Sequence, residues 1–188
     1  MYVSRLFSGL EEGIERGEWS PEGVPTVYKL IEGLLQSKHE LFLAFTIKDI
    51  HKNWKGKRNL SINIKENKTS INILPFISWM PSFLIKYSSY INEINHIFLI
   101  WRLYKKNKPD IIYFDRSNIY CAAFFAYCFS VEVVWRVMGV PHSMKKILTQ
   151  KNFVSLITRF AYKAPFSLAL CTEDGSGGNN WMNQALSN

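Results

Sequence analysis

Between residues 110 and 186, short apolar segments alternate with segments of helical spacing, and this alternation constrains the fold more than any other feature. Strands separated by helices at this spacing form right-handed βαβ units with parallel strands. The sequence therefore predicts an α/β protein with a Rossmann-like parallel sheet flanked by helices. The predicted strands are Asp110–Asp115, Val131–Arg136 and Ser167–Thr172, and the predicted helices are Ile119–Phe129, Ser143–Lys163 and Asn180–Leu186.

The N-terminal part of the chain predicts two further strands and a helix. A strand is expected at Tyr2–Leu10, and the charged stretch Glu11–Gly23 has no hydrophobic period, which favours a loop. Apolar residues at i, i+3 and i+4 predict a helix over 25–35, which Gly23 and Pro25 introduce. The apolar segment 40–47 then predicts the second strand.

A β-hairpin insertion is expected next. Residues 59–65 and 69–76 both alternate between apolar and polar side chains, and Asn67-Lys68 is the turn candidate between them. The surrounding segment 48–68 is strongly basic but lacks the interleaved aromatic residues of a base-stacking platform. It is interpreted as the solvated face of the hairpin.

A longer helix is predicted from Pro81 to about Lys106. Its apolar residues lie at 84, 87, 91, 94, 98 and 101, which form one stripe. We expect this stripe to pack against the sheet. The alternative is a helix that binds a partner or a membrane surface, which the basic residues at its end favour. Those residues are Arg102, Lys105, Lys106 and Lys108.

Composition excludes several classes of protein. With 188 residues, of which 47% are hydrophobic, the chain is long enough for one core and too apolar to be disordered. No uncharged apolar run reaches the length of a membrane span, and the first residues do not resemble a signal peptide. The three cysteines form no C-x-x-C pair and are interpreted as buried, reduced thiols of a cytoplasmic protein.

Charge is distributed unevenly along the chain. Residues 1–40 carry four basic and seven acidic residues, whereas residues 41–188 carry 19 basic and eight acidic residues. A surface of this charge attracts nucleic acid, acidic lipid headgroups or phosphate esters, and charge alone does not choose among them.

Polar residues follow the predicted strands, where ligands bind in open parallel sheets. Arg116 can clamp a phosphate, or it can form a surface ion pair with Asp115. Arg136 can serve a ligand or a buried structural pair. The candidate ligand-binding segments at the strand ends are the Gly9–Pro25 loop, Asp115–Asn118, Arg136 with Gly139, and Thr172–Gly178.

Cofactor and metal signatures are missing from the sequence. The turn Asp174–Gly178 precedes a helix and can form an anion-binding nest or an ordinary strand-to-helix turn. It is neither a Walker loop nor a G-x-G-x-x-G motif, and the four histidines are scattered. No G-x-S-x-G elbow is present either, which disfavours a serine hydrolase. The sequence thus predicts no cofactor and no metal.

Several segments together resemble the N-terminal domain of bacterial family-4 retaining glycosyltransferases, which have the GT-B fold. The resemblance extends from about Ser4 to Asn180. It is carried by S-R-L-F-S-G-L at 4–10, G-E-W-S-P-E-G-V-P-T-V-Y-K-L-I-E at 17–32, K-P-D-I-I-Y-F-D-R at 108–116, V-W-R-V-M-G-V-P at 134–141 and L-C-T-E-D-G-S at 170–176.

The resemblance implies half of a GT-B enzyme. Residues 1–188 would be a single acceptor-side domain, and the C-terminal domain that binds the nucleotide-sugar donor, with its Glu-x7-Glu signature, is absent. A glycan or lipid-linked acceptor would bind here, in cell-surface glycan synthesis, and the chain alone would be inactive. No catalytic residue is assigned. The implied binding residues are Gly9, Gly23, Pro25, Thr26, Asp115, Arg116, Arg136, Thr172, Asp174 and Gly175.

The expected location is the cytoplasm, with attachment to the anionic inner face of the plasma membrane. Basic segments at 48–68, 102–108 and 145–163 and the apolar stripe at 84–101 motivate that attachment. The alternative function is a non-catalytic, Rossmann-like binding module for an anionic partner. Nucleic acid is not the expected partner.

Overall fold

The computed structural model describes residues 1–37, 39–48, 54, 56–172 and 175–186. The seven strands in these ranges are mostly parallel and flanked by helices, so the prediction of a Rossmann-like α/β fold is confirmed. The chain divides into two compact units, residues 1–108 and residues 109–188, which are described separately.

The first unit contains four strands in the order β3-β4-β2-β1, of which only β3 runs antiparallel to its neighbour. Buried apolar side chains from β1, β2 and β4, among them Val3, Phe45 and Ile71, form its core. Its elements are β1 (Tyr2–Arg5), α1 (Ser8–Arg16), α2 (Pro25–Gln36), β2 (Leu43–Thr46), β3 (Asn59–Ile64), β4 (Asn67–Leu74), a 3-10 helix (Ser82–Tyr87) and α3 (Ser88–Asn107).

Helix α1 corrects the prediction for the N-terminal segment. Strand β1 ends at Arg5, and residues 8–16 form a helix where a strand end and a loop were expected. Leu10 and Ile14 are buried one helical turn apart, a signal too short to stand out among the charged residues around it. Gly17 ends the helix with a φ of 76°, the left-handed conformation that glycine adopts without strain.

The hairpin is confirmed, but its turn lies elsewhere. Ile64 pairs with Asn67, so the turn consists of Lys65 and Glu66, and Asn67 already belongs to β4. Lys65 takes a φ of 53° to close this two-residue connection. Residues 49–53 and 55 of the basic segment before the hairpin lie outside the described residues.

Helix α3 buries a different face from the predicted one. Its buried residues are Asn92, His96 and Ile100, while Ile94 and Phe98 of the apolar stripe are 67% and 51% exposed. The expectation that this stripe packs against the sheet is therefore wrong. Polar groups that bind the backbone near Pro75 determine the orientation of the helix, and hydrophobic spacing does not report them.

The second unit contains three parallel strands in the order β5-β6-β7. Its core includes Phe114, Phe125 and Trp135, which are fully buried, and α4 packs on β5 and β6. Its elements are β5 (Ile111–Asp115), a 3-10 helix (Arg116–Asn118), α4 (Ile119–Cys128), β6 (Glu132–Met138), α5 (His142–Ile147), α6 (Phe153–Tyr162), β7 (Leu168–Thr172) and α7 (Gly178–Leu186).

Two further expectations need correction. The helix predicted over 143–163 is two helices, α5 and α6, because Asn152 caps the N-terminus of a new helix. Of the three free cysteines only Cys121 is buried, since Cys128 is exposed and Cys171 is partly exposed.

Among the described residues, no helix is both long and apolar enough to span a membrane.

Candidate functional site

Two cavities of the first unit lie at the carboxyl ends of its parallel strands. The smaller, of about 290 Å³, follows β1 and is lined by residues 5–9 and 22–24. Gly9 and Gly23, two of the predicted binding residues, line it together. The Glu22 amide donates a hydrogen bond to the Gly9 carbonyl at 2.7 Å, and a Cβ at Gly9 would collide with the Glu22 carbonyl oxygen. Only glycine permits this close approach.

Pro25 and Thr26 lie in the first turn of α2, next to this cavity, and both are exposed. Helix α1 also begins at the cavity, at Ser8. In the described part of the chain, neither helix has a side-chain hydrogen bond at its N-cap. The amide groups at two helix starts and Arg5 in the lining favour an anion, whereas the exposed Glu22 in the same lining opposes one.

The larger cavity follows β2 and β4, and the sequence analysis missed it. Its volume is about 640 Å³, which is within the range of small-molecule sites. Two tryptophans, Trp54 and Trp79, and three polar side chains, Arg58, Ser78 and Asn95, contribute to its lining. These residues come from three separate segments of the chain and belong to no motif, so only the fold brings the segments together.

Polar side chains of α3 bind the backbone of Pro75, a residue that lines this cavity. Asn95 Nδ2 and His96 Nε2 lie 3.2 Å from the Pro75 carbonyl oxygen, which accepts from both. Lys48 Nζ and Glu93 Oε1 form an ion pair at 2.5 Å. Burial, followed by the charge of Lys48, lowers the pKa of His96 from 6.5 to about 3, so the ring is neutral.

In the second unit, Asp115 is the last residue of β5 and Arg116 follows it, and each has hydrogen-bond partners of its own. Asp115 is buried and accepts a hydrogen bond from Asn118 Nδ2 at 2.7 Å. Arg116 Nη1 donates to the carbonyl oxygens of Met138 and Gly139, each at 3.3 Å. Arg116 thereby supports the loop after β6, a structural role that its position at a strand end did not reveal.

Arg136 lies on β6 and forms hydrogen bonds with residues of both neighbouring strands, β5 and β7. Its guanidinium donates to Thr172 Oγ1 at 3.3 Å and to the Tyr113 hydroxyl at 3.5 Å. Burial raises the pKa of Tyr113, although the neighbouring Arg136 charge opposes that rise. Tyr113 thus remains a protonated hydroxyl beside a half-buried cation. Arg136 and Thr172 were both predicted from sequence, and the structure brings them together.

The turn after β7 is tied to the loop after β6. The Val140 amide donates to Ser176 Oγ at 2.9 Å, and Lys145 Nζ donates to the Ser176 carbonyl. Gly175 and Gly177 have φ values of 79° and 75°, which this tight turn requires. Gly175 is exposed on the turn, and Asp174 lies outside the described residues.

Sequence reasoning found Arg136 and its partner Thr172, but it missed Tyr113, the other partner of Arg136, and Lys145, which binds the turn after β7. Tyr113 lies within a strand and Lys145 within a helix, so neither stands out by spacing. No group of three or more histidine, cysteine or acidic residues that could hold a metal ion occurs among the described residues. Comparisons of the chain with protein-family models, curated proteins and solved structures find no significant match.

Proposed function

We propose that the chain is the acceptor-side part of a glycosyltransferase, which transfers a sugar from a nucleotide-sugar to a glycan or lipid-linked acceptor. The observation that carries this proposal is the pair of cavities at the carboxyl ends of the strands in the first unit. One cavity favours an anion, and the other combines aromatic walls with hydrogen-bonding side chains. The motifs at 4–10, 17–32 and 108–116 that resemble family-4 glycosyltransferases support the same function.

The larger cavity has the chemistry of a saccharide site. A sugar ring presents an apolar face of C–H groups, which packs on an aromatic ring, and a rim of hydroxyls, which need hydrogen-bond partners. Trp54 and Trp79 supply the aromatic surface, while Arg58 and Asn95 supply polar groups. We assign the sugar of the acceptor to this cavity.

The smaller cavity suits a diphosphate. Its amide groups at the starts of α1 and α2, together with Arg5, favour negative charge. In the second unit, Arg136 with Thr172 and Tyr113 offers a second polar cluster at strand ends, suited to hydroxyl or phosphate oxygens. The nucleotide-sugar itself would be held mainly by a separate C-terminal domain.

A binding titration tests this assignment. A short-chain polyprenyl-diphosphate sugar is titrated against the chain, and tryptophan fluorescence reports occupancy because Trp54 and Trp79 line the larger cavity. We expect saturable quenching, and Arg58→Ala weakens binding about tenfold. Lys57→Ala is the matched control, since it removes an adjacent exposed charge outside the lining. If both variants weaken acceptor binding equally, the binding is nonspecific charge attraction, and the assignment of the acceptor sugar to the larger cavity is wrong.

We expect the proposed enzyme to act at the cytoplasmic face of the plasma membrane, where lipid-linked acceptors are located. The excess of basic residues in 41–188 supports a peripheral position on anionic lipid.

The same charge excess favours one other function, a non-catalytic module that binds an anionic macromolecule. Filter binding to nucleic acid over a series of salt concentrations separates the two functions. Tight binding with a steep salt dependence, together with no fluorescence response to the acceptor, would favour the binding module.

A further inference from the structure

The segment from Trp79 to Phe98 exposes an unusual amount of apolar surface. Trp79 is 80% exposed and Phe83 is 71% exposed, and on α3 the side chains of Ile94 and Phe98 point outwards. A single exposed apolar residue is common, whereas a run of them marks an interaction surface. We call these residues the apolar surface of the first unit: Trp79, Phe83, Ile85, Tyr87, Tyr90, Ile94 and Phe98.

Helix α3 cannot turn to bury this surface. Asn92 and His96 lie two residues from Ile94, about 200° away around the helix, and both are buried. Asn92 Oδ1 accepts from the Ile77 amide at 2.6 Å, and its Nδ2 donates to the Ile77 carbonyl at 3.3 Å. Rotation would break the bonds of Asn92 to Ile77 and of His96 to Pro75, and it would leave buried polar groups without partners, at a cost of about 1–3 kcal/mol for each group. The exposure is built into the fold.

Cations accompany the apolar surface. The Arg102 guanidinium lies 5.8 Å from the centre of the Phe98 ring, and Lys86 Nζ lies 4.8 Å from the centre of the Tyr87 ring. Lys105 and Lys106 follow in the last turn of α3. The single acidic residue between 76 and 108 is Glu93, and Lys48 neutralises it in an ion pair. The net charge beside the apolar surface is therefore positive.

From this combination we infer that the apolar surface docks on a bilayer of anionic lipid. Aromatic side chains with adjacent cations match the boundary between headgroups and acyl chains, where both the apolar and the charged parts are satisfied. Negative headgroups complement Lys86, Arg102, Lys105 and Lys106. A bilayer of anionic lipid presents a continuous layer of negative charge above an apolar interior.

Docking also has a consequence for the larger cavity. Trp79 belongs both to the apolar surface and to the lining of that cavity, so the cavity opens beside the docked face. A lipid-linked sugar could then reach the cavity while its chain stays in the bilayer. This consequence rests on the proposed function, whereas docking itself does not.

Vesicle flotation of the full chain, without acceptor, tests the docking. We expect binding to phosphatidylglycerol–phosphatidylcholine vesicles and far weaker binding to phosphatidylcholine alone. The double variant Ile94→Ser/Phe98→Ser lowers the affinity for the acidic vesicles at least tenfold. Arg102→Gln/Lys106→Gln lowers it by about tenfold or more and flattens its salt dependence. Leu168→Ser in the second unit, which is 49% exposed, is the matched control and leaves binding unchanged.

Three results would overturn the inference. These are equal binding to acidic and neutral vesicles, unchanged binding of the Ile94→Ser/Phe98→Ser variant, and a dimer in gel filtration that this variant abolishes without vesicle binding by either form. The third result would assign the apolar surface to an interface between copies of the chain. Thermal unfolding of each variant distinguishes lost docking from lost folding. A failed acceptor titration with intact docking would reject the proposed function alone.

Discussion

His96 is a buried imidazole whose neutral state the fold depends on. Its side chain is fully buried in α3, and its Nε2 donates to the Pro75 carbonyl oxygen. Burial and the nearby charge of Lys48 hold its pKa at about 3, well below the 6.5 of an unperturbed ring. Protonation of the folded protein would place a second cation next to Lys48 without water to solvate it.

This depressed pKa predicts a loss of stability in acid. In the unfolded chain His96 regains its ordinary pKa, so the unfolded state binds the additional proton between pH 6.5 and about 3. The contribution of His96 is complete above pH 6.5. Below that, the free energy of unfolding falls by up to about 1.4 kcal/mol per pH unit. Urea unfolding at a series of pH values between 7.5 and 4 measures this slope.

The variant His96→Gln is the control for that slope, because its amide can still donate to the Pro75 carbonyl but does not titrate. Carboxylates titrate equally in both proteins, so the difference between the two profiles isolates His96. Profiles that stay parallel down to pH 4 would contradict the prediction.

At the scale of the element, helix α6 depends on its N-cap. Asn152 Oδ1 accepts a hydrogen bond from the Ser155 amide at 2.8 Å, which satisfies one of the amides that a helix start leaves open. The variant Asn152→Ala removes this bond, and we expect the free energy of unfolding to drop by about 1 kcal/mol. Chemical denaturation at pH 7 measures the change.

Asn152→Asp is the matched variant for this prediction, because a carboxylate at the N-cap accepts the same bond and favours the helix dipole. It should retain the stability of the natural chain. A loss as large as that of Asn152→Ala would show that the hydrogen bond to the Ser155 amide is not what stabilises α6.

At the scale of the whole molecule, the proposed function predicts that residues 1–188 alone have no transferase turnover. Stabilising a departing diphosphate needs preorganised donors on both sides of the bound nucleotide-sugar, and exclusion of water needs a closed site. The purified chain is incubated with UDP- and GDP-sugars and polyprenyl-diphosphate-linked acceptors, and nucleotide release is followed. Acceptor-dependent release at about 1 per second or faster would contradict the prediction.

The proposed function also predicts that a separately expressed donor-binding domain restores turnover. If it restores turnover, Arg136→Ala should lower the rate about tenfold, since Arg136 carries the polar cluster with Thr172. Lys163→Ala, at an exposed position after α6, serves as the control. Unchanged turnover in an intact Arg136→Ala protein would leave Arg136 with a purely structural role.

Much of the architecture follows from local patterns. The alternation at 59–65 and 69–76 predicted the hairpin, because a half-buried strand repeats every two residues. Helix α2 followed from its i, i+3, i+4 spacing and Pro25. In contrast, α1 was missed because only Leu10, Gly13 and Ile14 are buried among charged residues. The strand-end rule located Arg136 and Thr172, but not the cavity at Trp79, whose lining comes from separate parts of the chain.

The sequence by itself determined the α/β class, because the period of apolar residues distinguishes strands from helices before any long-range contact forms. It also determined that polar residues follow the carboxyl ends of the strands. Only the tertiary structure decided which face of α3 is buried. The apolar stripe through Ile94 and Phe98 would favour one orientation, but Asn92 and His96 bind backbone groups near Pro75 and hold the opposite one. Buried polar groups must be satisfied, and their partners lie on other elements, so no local pattern reports them.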